Sequence, residues 1–214
     1  MRILPDSAEF SNDPPDCQKA RLDLGWDRAI PTLLMFGTMH PWKGLDLLLE
    51  ALSAKFSDVF RSPLRVVLAG QQVVGKINVV LSSNVDLIEY NRYIEDAFAK
   101  QLFAAADCVV MPFVRDFEWS SGTFSLACAS GKFVILPNNG VLGWRARNLR
   151  NGYVYQAGNS ASLAKAIARF VEDYPKLTFP IEGSMKYAAE CTPSRYVERL
   201  DRIISESLDS VRNR

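Results

Sequence analysis

Apolar positions in this 214-residue chain fall into two patterns. Short, largely apolar runs occur at Thr32-Leu33-Leu34-Met35-Phe36, Leu64 to Ala69, Val85 to Tyr90, Cys108-Val109-Val110-Met111 and Phe133-Val134-Ile135-Leu136, with a shorter one at Tyr153-Val154-Tyr155. The Cys108 and Phe133 runs lack polar alternation, as expected of strands covered on both faces of a parallel sheet. Between the runs the apolar positions recur with the helical period. Leu45, Leu48, Leu49, Leu52 and Phe56 share one face; Ile94, Phe98, Leu102 and Phe103 another. Ala161 to Tyr174, capped by Ser160, turns Leu163, Ile167, Phe170 and Val171 inward. A helix after Pro193 aligns Val197, Leu200, Ile204 and Leu208, and the last six residues read as fraying.

Residues 1–30 read as an irregular lead-in, punctuated by Pro5, Pro14 and Pro15, with a helical piece from Cys17 to Leu24 stopped by Gly25. Residues 71–84 read as a loop with a short helix or strand. Strand and helix alternate about six times with short connections. That order predicts one α/β domain over residues 1–214: a doubly wound, Rossmann-like parallel sheet with a C-terminal helix over 193–214.

The stretch from Asp107 to Gly140 organises this pattern. Strand, polar loop (Arg115, Asp116, Glu118), helix and strand follow in turn, with Ser or Thr at the helix start and Gly131 as its stop. Ligands of such sheets bind beyond the strand carboxyl ends. A helix start at Ser120-Ser121-Gly122-Thr123 suits a phosphate, and it equally suits a plain capped core helix.

Composition narrows the options. Apolar content is 48%, charged content 23% and net charge +1, with the two signs interspersed, which argues against a nucleic-acid partner. Cys17, Cys108, Cys128 and Cys191 are too dispersed for a zinc site or disulfide framework, and Cys128 reads as a small core residue. His40 is the only histidine, so a three-histidine metal site and a Ser-His-Asp triad are disfavoured. No run approaches the ~18 apolar residues of a membrane span, and Met1 to Asp6 does not read as a signal peptide. Neither G-x-G-x-x-G, nor a P-loop, nor G-x-S-x-G, nor Asp-x-Asp occurs. What is left is a set of strand-end candidates: Thr38, Lys43, Gly70-Gln71-Gln72, Arg92, Glu118, Ser121, Gly122 and Thr123.

From Arg21 to Leu208 the chain resembles the C-terminal, donor-binding half of a GT-B glycosyltransferase of group 1 type. Leu34 to Gly44 resembles the family's strand, Gly-Arg and Lys-Gly pattern; Ala104 to Pro112 resembles its "aDvfvlPS". Phe117-Glu118 with Ala127 to Val134 resembles "E-G-F-G…L-E-A-M-A-x-G-x-P-V-V", and Asn151 to Val154 its following strand. The resemblance implies retaining, metal-independent glycosyl transfer from a UDP- or GDP-sugar, with no cofactor, in polysaccharide or glycoconjugate synthesis. It assigns catalytic roles to Glu118 and Lys43, and donor contacts to Thr38, Lys43, Arg92, Ser121, Gly122 and Thr123.

The departures are specific. Thr38 stands where the family has its phosphate-binding arginine, and Leu126 where the second carboxylate of Glu-x7-Glu holds the ribose. Ser-Gly-Thr before the helix matches branches that hold phosphates with backbone amides. The Gly-Gly-x-x-Glu turn is reduced to Gly140 to Trp144. The acceptor half is absent, so a companion domain or separate chain is the implied partner and the isolated domain is expected to be inactive. The implied location is cytoplasmic, with peripheral contact to the inner membrane through the missing half. A degenerate, non-catalytic binding domain is the alternative, and a nucleotide-sugar epimerase a third reading disfavoured by the single histidine. Trp42, Trp119 and Trp144 are expected on an open face at the strand carboxyl ends.

Overall fold

The computed structural model describes residues 6–7, 16–72, 78–177 and 181–212. Pro5, Pro14 and Pro15 of the expected lead-in, residues 73–77 and the last two residues lie outside the described residues.

The strands are β1 (Thr32–Phe36), β2 (Leu64–Ala69), β3 (Val85–Tyr90), β4 (Cys108–Val110), β5 (Phe133–Pro137) and β6 (Gly152–Tyr155). They form one sheet in the order β3-β2-β1-β4-β5-β6, every neighbouring pair parallel. The expected doubly wound sheet is therefore present. Successive strand side chains point to opposite faces, and each face has its own core. Leu33, Met35, Val66 and Ile135 pack with Leu48 of α2 (Leu45–Ala51) and with Leu163, Ile167 and Phe170 of α6 (Ser160–Asp173). Leu34, Val67, Val109 and Val134 pack against the other set: α1 (Cys17–Asp23), α3 (Asp96–Ala105), α4 (Gly122–Ala129) and α5 (Gly140–Leu149). Burial on both faces is why the central runs carry no polar alternation. Each fully buried large apolar side chain contributes roughly 1.5–3 kcal/mol.

Four local expectations need correction. The α2 face does not continue to Phe56. Ser53 turns extended (φ −69°, ψ 161°) and pairs with Leu81 as an isolated antiparallel bridge, and Ala54–Val59 follow as a 3₁₀ segment. The α6 cap is Asn159, whose Oδ1 accepts from Ser162 N at 2.8 Å, and Ser160 is already helical. Gly140 to Trp144 is the opening of the ten-residue helix α5, not a bare turn. A further helix, α7 (Ile181–Glu190), packs on α4 and was not foreseen.

The last helix, α8 (Pro193–Arg212), forms as expected. Its apolar stripe, however, lies open: Val197, Leu200, Ile204 and Leu208 are all exposed.

At the amino ends of the strands, Asp107 closes the sheet from below. It accepts from Thr32 N at 2.8 Å and from the Tyr174 hydroxyl at 2.9 Å, and it pairs with the Arg21 guanidinium. Arg21 also donates to Ala105 O at 2.8 Å and Arg28 O at 3.0 Å. Both partners of this ion pair are buried. Burial opposes the Arg21 charge, but attraction to Asp107 outweighs it and leaves the guanidinium above its ordinary pKa.

Candidate functional site

The site is built at the opposite end of the same strands. β1 ends in Phe36, and Gly37 follows with φ +97°. The chain then makes a 3₁₀ turn, Pro41–Lys43, and enters α2 through Gly44 at φ +70°. A Cβ on Gly44 would lie 1.8 Å from Pro112 O, so only glycine lets this turn press against the end of β4. The tight turn aims the Lys43 side chain back over β1. Its Nζ donates to Phe36 O at 3.1 Å and to Thr123 Oγ1 at 3.3 Å, and sits 5.4 Å from the centre of the Phe113 ring. Gly37 belongs to the same arrangement, because a Cβ there would come within 3.2 Å of Lys43 Nζ.

Thr123 is in the first turn of α4. Ser121 holds the N-cap position, but its hydroxyl makes no capping bond. Its carbonyl takes the N–H groups of Phe124 and Ser125, and among the described residues those of Gly122 and Thr123 have no acceptor. A Cβ on Gly122 would meet nothing within 4 Å, and Gly122 is exposed. Lys43 therefore puts an ammonium at the positive end of a helix, with two neutral oxygens for partners. Among the described residues no carboxylate pairs with it. Desolvation lowers its pKa from 10.5 to about 8. Desolvation and the helix dipole disfavour its charge, two neutral oxygens and the Phe113 ring only partly offset them, and a bound anion would favour it.

The other expected residues sit around this pair without joining it. Thr38 is exposed at the end of β1. Arg92 is exposed at the end of β3, its guanidinium 5.0 Å over the Phe98 ring. Glu118 is exposed, and its side chain makes no hydrogen bond or ion pair among the described residues. Its carbonyl accepts from Val141 N at 3.3 Å, which ties the loop to α5. Leu126 packs into the second core cluster. Cys128 is buried, with its thiol pushed up to about 12 by desolvation, so it is protonated and inert. His40 stacks on Trp42 at 4.2 Å. Trp42, Trp119 and Trp144 are 46%, 72% and 55% exposed, as expected, although Trp144 lies in α5 and not in a loop.

Sequence reasoning missed Asn138, Gln156 and Asn159, which line a groove next to Glu118. They belong to no motif, and the one available signal was their position just beyond an apolar run. Among the described residues no group of three or more His, Cys, Asp or Glu side chains could hold a metal ion. Nor does any described helix have the length and apolar character to cross a membrane.

Against known proteins, the family model described as glycosyl transferases group 1 matches residues 30–173. No curated protein matches the chain. Among solved structures, Anabaena Alr3699/HepE in complex with UDP is 23% identical at a TM-score of 0.65, over 93% of this chain and 54% of that one. Sucrose-phosphate synthase from Thermosynechococcus elongatus is 18% identical at a TM-score of 0.72, over 98% and 53%. The C-terminal domain of the group 1 protein LpcC from Francisella tularensis is 16% identical at a TM-score of 0.57, over 87% of this chain and 93% of that domain. The chain thus spans about half the length of the first two proteins, and these likenesses are likenesses of fold.

Proposed function

The chain belongs to the group 1 glycosyl transferases, and from that premise we propose that it is the donor-binding half of such an enzyme, with a UDP- or GDP-sugar held by its diphosphate between Lys43 and the start of α4. One observation carries the reading: among the described residues, a desolvated ammonium with no carboxylate partner touches the first turn of α4, where the N–H groups of Gly122 and Thr123 have no acceptor. As the sugar–phosphate bond breaks, negative charge builds on the departing diphosphate. Lys43 and the Gly122 and Thr123 amides are fixed in advance where that charge would appear, which is how a preorganised site lowers a barrier. In this reading no metal is required, Glu118 faces the transferred sugar, and Arg92 stands on the side of the base. Retention of configuration follows from the family resemblance.

Lys43 supplies a point charge and Thr38 cannot supply the bidentate fork of an arginine, so binding should be weak. Titration calorimetry with uridine, guanosine and adenosine diphosphates tests this. We expect UDP or GDP to bind in the millimolar range or tighter and Lys43→Ala to remove the signal. No binding by any of the three, or binding that Lys43→Ala leaves untouched, contradicts the assignment.

A companion half or separate chain supplies the acceptor, so the isolated chain should transfer no sugar to a simple acceptor. Turnover of a nucleotide sugar by the pure protein would oppose that. The family also leads us to place the work in polysaccharide or glycoconjugate synthesis in the cytoplasm, with any inner-membrane contact made through the companion. A second reading has one observation in its favour: Leu126 is committed to the core, which leaves the ribose without its family carboxylate. On that reading the domain binds without catalysing, and a full-length assembly that binds UDP-sugar yet turns none over would support it.

A further inference from the structure

The first turn of α4 carries the candidate site but has no fastening of its own. Ser121 makes no capping bond, no acidic side chain stands in the turn, and Thr123 Oγ1 is engaged by Lys43. What holds the turn comes from behind, from α5 and α7. Phe124, the residue after Thr123, meets the Tyr187 ring of α7 edge-on at 5.2 Å. The hydroxyls of Ser125 and Tyr187 lie 3.4 Å apart, so the rings make the firmer contact. Behind both rings stands Arg145 of α5, only 4% exposed. Its guanidinium lies 5.0 Å from the centre of the Tyr187 ring and 5.8 Å from that of Phe124.

Arg145 is costly to bury. Among the described residues its Nη1 has no hydrogen-bond partner, and the two rings are what offset its desolvation. α7 is set close enough to keep them there. A Cβ on Gly183 would come 2.4 Å from Leu149 O, so a larger residue would push α7 off the end of α5. Ser184 Oγ accepts from Asn151 Nδ2 at 2.9 Å and fixes the same end. α7 lies beyond the residues 30–173 that the family model matches, so this brace is not part of the matched pattern.

We propose that Tyr187 is a positioning residue: with Arg145 behind it, it holds the first turn of α4 in the pose that sets Thr123 against Lys43 and leaves the Gly122 and Thr123 N–H groups free for a ligand. Without the ring, Phe124 and Arg145 lose a common neighbour, the uncapped turn gains freedom, and water reaches Lys43. Docking of α7 and occupation of the anion site then favour each other, as linkage requires of two events that select one conformation. That last part rests on the donor reading above; the hold on Thr123 and Lys43 does not.

NMR of the Lys43 side chain and the Thr123 methyl group, followed through a pH titration of the unliganded chain, provides the test. In Tyr187→Leu the Thr123 methyl should shift, and the Lys43 midpoint should rise from about 8 toward the ordinary 10.5. Tyr187→Phe keeps both ring contacts and should stay close to the parent. Ile167→Ala truncates the core on the other face of the sheet and should leave both signals in place. If Tyr187→Leu does not fold, Arg145→Met, which removes the cation behind both rings, is read in the same way. UDP affinity should fall roughly fivefold or more in Tyr187→Leu. The inference is overturned if that variant titrates Lys43 like the parent, or if Ile167→Ala moves Lys43 as far. A parent that fails to bind UDP strikes the donor reading, and the Lys43 midpoint still decides the role of Tyr187.

Discussion

A buried cation and a half-buried one, at opposite ends of the same parallel sheet, have been given opposite settings. At the amino ends Arg21 meets Asp107, two backbone carbonyls accept its remaining donors, and its pKa ends above the ordinary value. At the carboxyl ends Lys43 meets Phe36 O and Thr123 Oγ1, both neutral, and its pKa falls to about 8. The first cation is complete within the chain. The second, among the described residues, has only neutral oxygens and a ring for partners. Desolvation is common to both, so desolvation by itself does not mark a functional group; what sets Lys43 apart is its place between the end of β1 and the first turn of α4.

The largest effect should come from breaking the complete end. Asp107→Ala leaves Arg21 buried and unpaired and removes the acceptor of Thr32 N and the Tyr174 hydroxyl. A loss of roughly 3–5 kcal/mol in urea unfolding is expected. A loss under about 1 kcal/mol would mean this pair does not fasten the sheet. The open end should behave in the opposite sense. Lys43→Met keeps the stem and removes a charge with no partner, so the unliganded protein should be as stable as the parent or more so. Diphosphate affinity should fall at least about tenfold, about 1.4 kcal/mol. A variant that loses stability while keeping affinity would invert the comparison.

A smaller effect is graded by pH. The protonated Lys43 binds the anion, so diphosphate affinity should be full below about 8 and fall as pH rises through that value. The slope should vanish in Lys43→Met. The unliganded protein should show the reverse trend in its Lys43 contribution. Above about 8 the unfolded chain keeps a proton that the folded one has lost, so stability gains with pH up to the ordinary lysine value. The smallest effect belongs to α8. Ile204→Ser with Leu208→Ser removes side chains that are already exposed, and urea unfolding should move by less than about 0.5 kcal/mol. A large loss would show that the stripe is covered in solution.

The sheet was legible in the sequence because its strands are apolar runs closed by Gly and Pro, and because helical periods such as that of Leu163, Ile167 and Phe170 lie between them. α5 was not, since Gly140 and Gly143 at its start read as a turn. α2 was read too long because Leu52 and Phe56 keep the helical period after Ser53 has turned the backbone extended. At the site, Lys43, Gly122 and Thr123 could be named from motif spacing. Their convergence on one ligand was implied by the resemblance, and the sheet order, which sets β1 beside β4, brings Lys43 to Thr123 across eighty positions; the hydrogen bond itself was not legible. Arg21 with Asp107 was hidden for the same reason. Either residue alone reads as an ordinary surface charge.

The central claim is the proposed one, that Lys43, desolvated and without a carboxylate partner among the described residues, binds a diphosphate. Its side-chain NMR resonances, followed through a pH titration with and without UDP or GDP, report this directly. The account predicts a midpoint near 8 in the free protein and a clear rise when the nucleotide binds. A midpoint at the ordinary lysine value that no nucleotide moves would contradict it.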